Sequence, residues 1–585
     1  MATLGGARSR LAYDARAQEA LLEGKPELAR DILRQLLEAY PQDLEARLEL
    51  AEACGQLGDL EAAIATLREV VRLDPNHPRA WFLLGKYTIQ KGDPKRAIDE
   101  PLVHALVVQN RLGSEQGKAD VWNAMGVAYQ QLGDLERAAD SYRQAAAVRQ
   151  RIGDQRGYAT SLKNLATLAL ARGSYADAER DLERALGLLR QIGDTAGIAE
   201  LYNAFGGLEE ERGRYDRALD AYRHALQLRR DLGDRLTLAQ SLNNVGYAYL
   251  LLGEYDNAMV YWQQALALHQ AAGDREGMVE ATQSIGQLQL VQGKWEAALK
   301  SFLGTLGESR QLGNKAAVAV SLGNLGRVAQ LEGRYPAALA SYGEALALVR
   351  ELGDSRCETE FTLFEAETLG ELGMQPAAEA LLAPLGKRAA PEVNSEQLAD
   401  LQSLRGEWSL RRGDLAAAQA SFARADGLAA ASHSVVARLR ARLGEALAAA
   451  GGRRGELTRL RAAVADVERL GHLPILLRAC EGLAGAELAG GQPAAAEQAA
   501  RRSLGLAAAA GPYAGAYRLH LLLAKALAAR DDSAQAAEAA AEKQRAAQEL
   551  QRLRRDLTPE QRAAFETLAE VKEIGQYSHP AAGAH

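Results

Sequence analysis

Polar side chains with no catalytic company recur through this chain at a fixed interval. Asn123, Lys163, Asn203, Asn243 and Gln283 stand 40 residues apart, and Asn164, Asn244, Ser284 and Asn324 follow the same interval one position on. Asparagine is a mediocre residue for a helix interior, because its side chain competes for nearby backbone groups. Its recurrence at one register asks for a reason. A carboxamide offers a donor and an acceptor, the pair that the backbone of a bound peptide presents. Each such bond contributes about 1 kcal/mol net, and several can act together.

Bond-breaking chemistry has no such signature. The sequence holds no G-x4-G-K-[ST] phosphate loop, no H-E-x-x-H and no C-x-x-C. The glycine-rich, basic Gly451-Gly452-Arg453-Arg454-Gly455 stands where a repeat turn is due, so it reads as a turn rather than a phosphate cradle. The nine histidines are scattered, and neither His224 nor His269 has cysteine or carboxylate partners at ligand spacing. Cys54 falls at a core-facing helix position, which makes it a buried thiol. Cys54, Cys357 and Cys480 lie too far apart for a disulfide framework or a metal cluster and suit a reducing cytosol. A net charge of -7 argues against nucleic acid as the main partner. The N-terminus lacks an apolar signal core, and no run of about 18 apolar residues offers a membrane span. These features predict a cytoplasmic, non-enzymatic protein that needs no cofactor, binds no metal and does not enter a membrane.

The elements that must position the amides are cut by glycine. One glycine series runs Gly24, Gly58, Gly92 at a spacing of 34, then Gly133, Gly173, Gly213, Gly253, Gly293, Gly333, Gly373 and Gly413 at a spacing of 40. Weaker equivalents follow at Gly451 and Gly490. A second series, Gly153-Asp154, Gly193-Asp194, Gly233-Asp234, Gly273-Asp274, Gly313-Asn314 and Gly353-Asp354, keeps the same 40-residue step. Glycine accepts the left-handed conformation that ends a helix, and Asp or Asn caps the next one. Between the marks the apolar positions step by three and four, as in Trp122, Gly126, Tyr129 and then Ala138, Tyr142, Ala145. Small residues at Gly126, Ala166, Gly206, Gly246, Gly286 and Gly326, and alanine from Ala138 to Ala338, let paired helices approach closely. Valine, isoleucine and threonine are sparse, and no period-2 alternation supports a strand.

These residues resemble the tetratricopeptide repeat family, with its W-x2-[LM]-G-x2-Y, turn glycine and A-x3-[FY]-x2-A pattern. The N-terminal copies have the 34-residue form, including Asp74-Pro75-Asn76-His77-Pro78-Arg79-Ala80-Trp81. The 40-residue copies resemble those of kinesin light chains, Pins-type spindle adaptors and some bacterial signalling proteins. The resemblance covers roughly residues 10–550. It implies an all-α fold, a right-handed α-solenoid superhelix of about 14 helix-turn-helix pairs stabilised by nearest neighbours. The expected layout is a disordered start at 1–9, 34-residue repeats over 10–113, 40-residue repeats over 114–393, alanine-rich drifted repeats over 394–555, a capping helix over 556–576 and a disordered tail over 577–585. The alanine-rich part is expected to pack more thinly.

The resemblance also implies that the first helix of each pair lines a groove. That places Asn123, Lys163, Asn164, Asn203, Asn243, Asn244, Gln283 and Asn324 on the groove face, with Tyr247, Leu250, Gln287 and Arg327 beside them. In kinesin light chains and Pins-type adaptors such asparagines hold a peptide. Two roles fit them here: contact with a ligand, centred on Asn243 and Asn244, or hydrogen bonds that fix helix packing. Acidic Asp120, Glu200, Glu210, Glu211 and Glu280, basic Lys163 and Arg327, and apolar Leu251, Leu290 and Val291 make the face mixed. A mixed face suits a protein segment with apolar anchors and some basic residues better than a plain acidic tail. The leading expectation is an interaction scaffold that binds a peptide or partner domain. The rival is a regulatory module of a bacterial signalling system acting on a separate kinase, cyclase or transcription factor.

Overall fold

The structure is a computed structural model that describes residues 2–385, 395–450, 454–530 and 533–577. Those residues form α-helices throughout, joined by short loops, with one π-helical segment, one 3-10 turn and no strand among them. The chain divides into two compact units, Met1–Ala204 and Phe205–His585. Each is a solenoid of antiparallel helix pairs in which an element packs mainly on its sequence neighbours.

One pair shows why the sequence folds so. Helix Glu115–Gln131 starts where the Ser114 side chain accepts the Gly117 N–H, and its partner Leu135–Ile152 starts where Asp134 accepts from Arg137. Between them Gly133 takes φ 74°, the left-handed region that glycine adopts freely. Gly126 faces the ring of Tyr142, where a Cβ would overlap the aromatic carbons. The same glycine–aromatic contact joins Gly326 to Tyr342. Each buried ring stabilises its pair by about 2–3 kcal/mol.

In the first unit the step changes from 34 to 40 residues at a π-helical segment. The second helix of the third pair runs Pro94–Ala97, then π-helical Ile98–Leu102, then Val103–Leu112. Pro101 sits inside the π segment and brings no N–H, so the regular ladder cannot continue there. The bulge absorbs one extra residue, which is why Gly92 to Gly113 is one longer than Gly133 to Gly153.

The second unit winds far enough for its later repeats to meet its earlier ones. The turns at Gly213, Gly253, Gly293, Gly333 and Gly373 pack against Ser432, Leu470, Leu473, Leu553 and Ala564 respectively. The Ala514 N–H donates to the Leu331 carbonyl at 2.8 Å, and Arg552 Nη1 donates to the Glu332 carbonyl at 2.7 Å. Tyr215, Tyr255, Trp295 and Tyr335, each two residues past a turn glycine, are at most 7% exposed along this line.

Several expectations need adjusting. The alanine-rich repeats are not thinly packed: Trp408, Phe422 and Tyr517 are at most 2% exposed. The turn glycine of the penultimate full pair is Gly491, at φ 71°, whereas Gly490 keeps a negative φ. Gly451 and residues 578–585 lie outside the described residues. The first helix is Ala2–Leu22. The terminal cap is two short helices, Pro559–Phe565 and Ala569–Gly575, the first opened by a capping box between Thr558 and Gln561.

Candidate functional site

The second unit encloses a cavity of about 890 Å³. Its lining comes almost wholly from the first helices of successive pairs, from Arg235–Leu251 through Leu473–Ala489. Part of the lining is apolar, with Leu250, Leu290, Val291, Val320, Phe361 and Leu447. The rest includes an ionic lattice. Glu367 accepts from Arg327 at 2.5 Å and from Arg478, which also reaches Glu407 at 2.9 Å. Glu371 accepts from Arg411 at 2.5 Å and from Arg518 at 3.0 Å, and Arg518 continues to Glu481 at 2.7 Å. Arg440 joins Glu407 and Asp400. Arg478 and Arg518 belong to late repeats and their Glu367 and Glu371 partners to earlier ones, so the lattice braces the winding.

Burial alone would raise the Glu367 and Glu371 carboxyls, but the surrounding guanidinium groups outweigh it and hold both well below the usual carboxylate range. Burial wins over Arg440 at Asp400, which is pushed up to about 6. His472 is pushed down to about 3 by burial and by the charge of Arg327 and Arg440, and its ring nitrogen accepts the Ile475 N–H at 3.4 Å. It is a neutral helix cap.

A smaller recess of about 230 Å³ shares Tyr247, Arg356 and Glu360 with the main cavity. Arg356 lies over the Tyr247 ring at 5.6 Å, donates to its hydroxyl and approaches Glu210 at 3.8 Å. Burial raises the Glu210 and Glu360 carboxyls, with Arg356 opposing.

The sequence-nominated residues divide by position. Tyr247, Leu250, Gln287, Asn324 and Arg327 line the cavity. Gln283 turns away from it and donates to the Ala317 carbonyl and the Ser321 hydroxyl, both at 2.8 Å. Asn243, one repeat earlier, is 4% exposed and has no partner for either amide atom. The counterpart of Ser321 there is Ala281, which has no hydroxyl to accept a bond. Neither Asn243 nor Asn244 is in the cavity lining, and Asn244 is half-buried. In the first unit Asn164 donates to Asn123 at 2.9 Å, Lys163 pairs with Glu200, and Asn203 is half-buried on Thr195–Glu211.

The charged lattice was missed in the sequence, yet it leaves a trace there. Arg327 and Glu367, Glu371 and Arg411, and Asp400 and Arg440 are opposite charges one 40-residue step apart, each paired in space. Equivalent positions on adjacent first helices face each other, so opposite charges at the repeat interval signal a lattice.

A tetratricopeptide repeat model matches residues 20–87, and a second model of the same repeat matches 117–191, 197–271, 237–306 and 277–351. The chain belongs to the tetratricopeptide repeat family. Membership supports a protein-interaction scaffold in general, and repeats of this family are typically non-enzymatic. Among solved structures, MamA 41-end from Desulfovibrio magneticus RS-1 is 20% identical over 31% of this chain and 96% of its own, with a TM-score of 0.27. BtubC (BKLC) from P. vanneervenii is 21% identical over 40% and 92%, with a TM-score of 0.32. Yeast Tom70 is 15% identical over 78% and 99%, with a TM-score of 0.36. Likenesses this distant carry no argument about function. No curated protein matches the chain. Among the described residues no helix of this tetratricopeptide repeat protein is long and apolar enough to cross a membrane, and no side-chain group is arranged to hold a metal ion.

Proposed function

We propose that the chain is a non-enzymatic cytoplasmic scaffold whose second unit holds a segment of a partner protein in the 890 Å³ cavity. The observation that carries this reading is the cavity's mixed apolar and polar lining on packed helices. Leu250, Leu290, Val291 and Val320 give apolar anchor points, while Gln287, Asn324 and Tyr247 supply polar groups to fix register. Among these, Asn324 is half-buried and lines the cavity, although its amide nitrogen is itself buried without a hydrogen-bond partner. The reading also follows from what the asparagine ladder leaves: Asn123, Asn164 and Gln283 are committed to packing, so recognition rests on the five nominated residues that reach the cavity.

The test uses random twelve-residue peptides displayed on phage and selected on the intact chain. Val320 is half-buried in the cavity wall, so Val320→Trp fills space without opening a core. Selected peptides should lose at least about tenfold in affinity on this variant, the equivalent of about 1.4 kcal/mol. A selection that yields no class of peptides weakened on Val320→Trp would sink the proposal.

A further inference from the structure

The first unit carries a second recess, of about 460 Å³, on the side away from the first-helix face. It lies between the second helices Leu135–Ile152 and Tyr175–Gln191, over the flank of Gln155–Ala171. Its origin is visible in the repeat register. The position held by Leu226, Leu306 and Leu346 in other repeats is Ala146 here, and the position of Leu219, Leu299 and Leu339 is Ala139. Leu226, Leu306 and Leu346 are buried against their neighbours. Two truncated side chains in one repeat leave a gap with an apolar floor of Tyr158, Leu162 and Leu168, each at most 7% exposed.

The rim is basic in an acidic protein. Arg143, Arg172, Arg180 and Arg184 surround the gap against only Asp177 and Asp181. Arg143 pairs with Asp140 at 2.7 Å and Arg180 pairs with Asp177. Arg184 lies over the Tyr158 ring at 5.0 Å, and neither it nor Arg172 has a carboxylate partner among the described residues. Two uncommitted guanidinium groups beside an apolar hole match a carboxylate next to a large apolar side chain, through charge-assisted and bidentate hydrogen bonds. Burial raises the Asp181 carboxyl despite the nearby arginines, so that group competes weakly for them.

We propose that this groove docks a partner protein segment in which Asp or Glu flanks a leucine, phenylalanine or tryptophan, independently of the cavity in the second unit. Ala146 and Ala139 admit the apolar side chain, and Arg172 and Arg184 hold the carboxylates. Binding here weakens as salt rises, because the guanidinium groups are at the surface.

The experiment repeats the phage selection on the intact chain and counts which peptides fail on Ala146→Leu. That substitution restores the leucine of other repeats, so it fills the hole without disturbing the fold, and a thermal melt no lower than that of the unaltered chain checks this. The expected result is a class of peptides, enriched in Asp or Glu beside Leu, Phe or Trp, whose affinity falls at least about tenfold on Ala146→Leu and on Arg172→Gln with Arg184→Gln, yet is unchanged on Val320→Trp. A selection with no class sensitive to Ala146→Leu overturns the proposal. So does a sensitive class without acidic enrichment. Peptides sensitive only to Val320→Trp would uphold the cavity and refute this groove.

Discussion

Replacing Asn243 with leucine should stabilise the second unit, although it exchanges a polar for an apolar side chain at a position the sequence marks for recognition. The amide is 4% exposed, and both its nitrogen and its oxygen lack partners. A buried polar group left without a partner costs about 1–3 kcal/mol, and leucine keeps the same number and branching of heavy atoms. The 3.2 Å bond from the Trp262 indole to the Asn243 backbone carbonyl survives the exchange. The expected gain is therefore about 1–3 kcal/mol, read as a higher urea midpoint by circular dichroism with an unchanged slope. Ala281→Ser is the companion. It supplies the hydroxyl that Ser321 gives to Gln283 one repeat on, and it should recover about 1 kcal/mol by satisfying the amide instead of removing it. A lower midpoint for Asn243→Leu, together with no gain from Ala281→Ser, would refute the reasoning and show that the amide is already satisfied.

Other perturbations probe the winding of the second unit. Arg478→Met should destabilise it by about 3 kcal/mol in urea titration, because Glu407 and the buried Glu367 lose a shared cation while Glu367 keeps Arg327. Glu367→Gln should cost stability at neutral pH, and the gap to the unaltered chain should close in acid. The Glu367 carboxyl is held below its ordinary 4.5, so its contribution is complete above that value and lost as pH falls toward the lowered one. Urea midpoints at a series of pH values follow it. Gly133→Ala, at a turn with open space, should cost only the left-handed strain of about 1–2 kcal/mol. Gly333→Ala should cost clearly more, because its Cβ would also overlap Leu553 across the winding, and equal losses at the two turns would argue against that contact.

The helix pairs were legible because of local signals: glycines that take positive φ at the turns, and between the 40-residue pairs an Asp or Asn that caps the next first helix. The return of the second unit onto itself was not, because it sums small rotations over several repeats and joins residues such as Glu332 and Arg552. A faint trace exists at the residue two past each turn glycine. It is aromatic and buried at Tyr215, Tyr255, Trp295 and Tyr335, where the winding covers it, but Leu415 at the same position is 41% exposed. The candidate site was half legible. Register alone gave Tyr247, Leu250, Gln287, Asn324 and Arg327. It could not tell that Gln283 points toward the next first helix or that Asn243 is buried, since one helical position separates the two directions. Nor could it find Arg478 and Arg518, which reach Glu367 and Glu371 only through the winding.

Site-specific photo-crosslinking tests the central claim most directly. A benzoylphenylalanine replaces Val320 in the cavity wall or Val260 on an exposed second helix, where the native side chain is 50% exposed. The intact chain is irradiated with a selected peptide whose binding is sensitive to Val320→Trp. The account predicts a covalent product at position 320, mapped by mass spectrometry to the peptide's apolar anchor, and none at position 260. Crosslinking at position 260 alone, or equally at both, would contradict it.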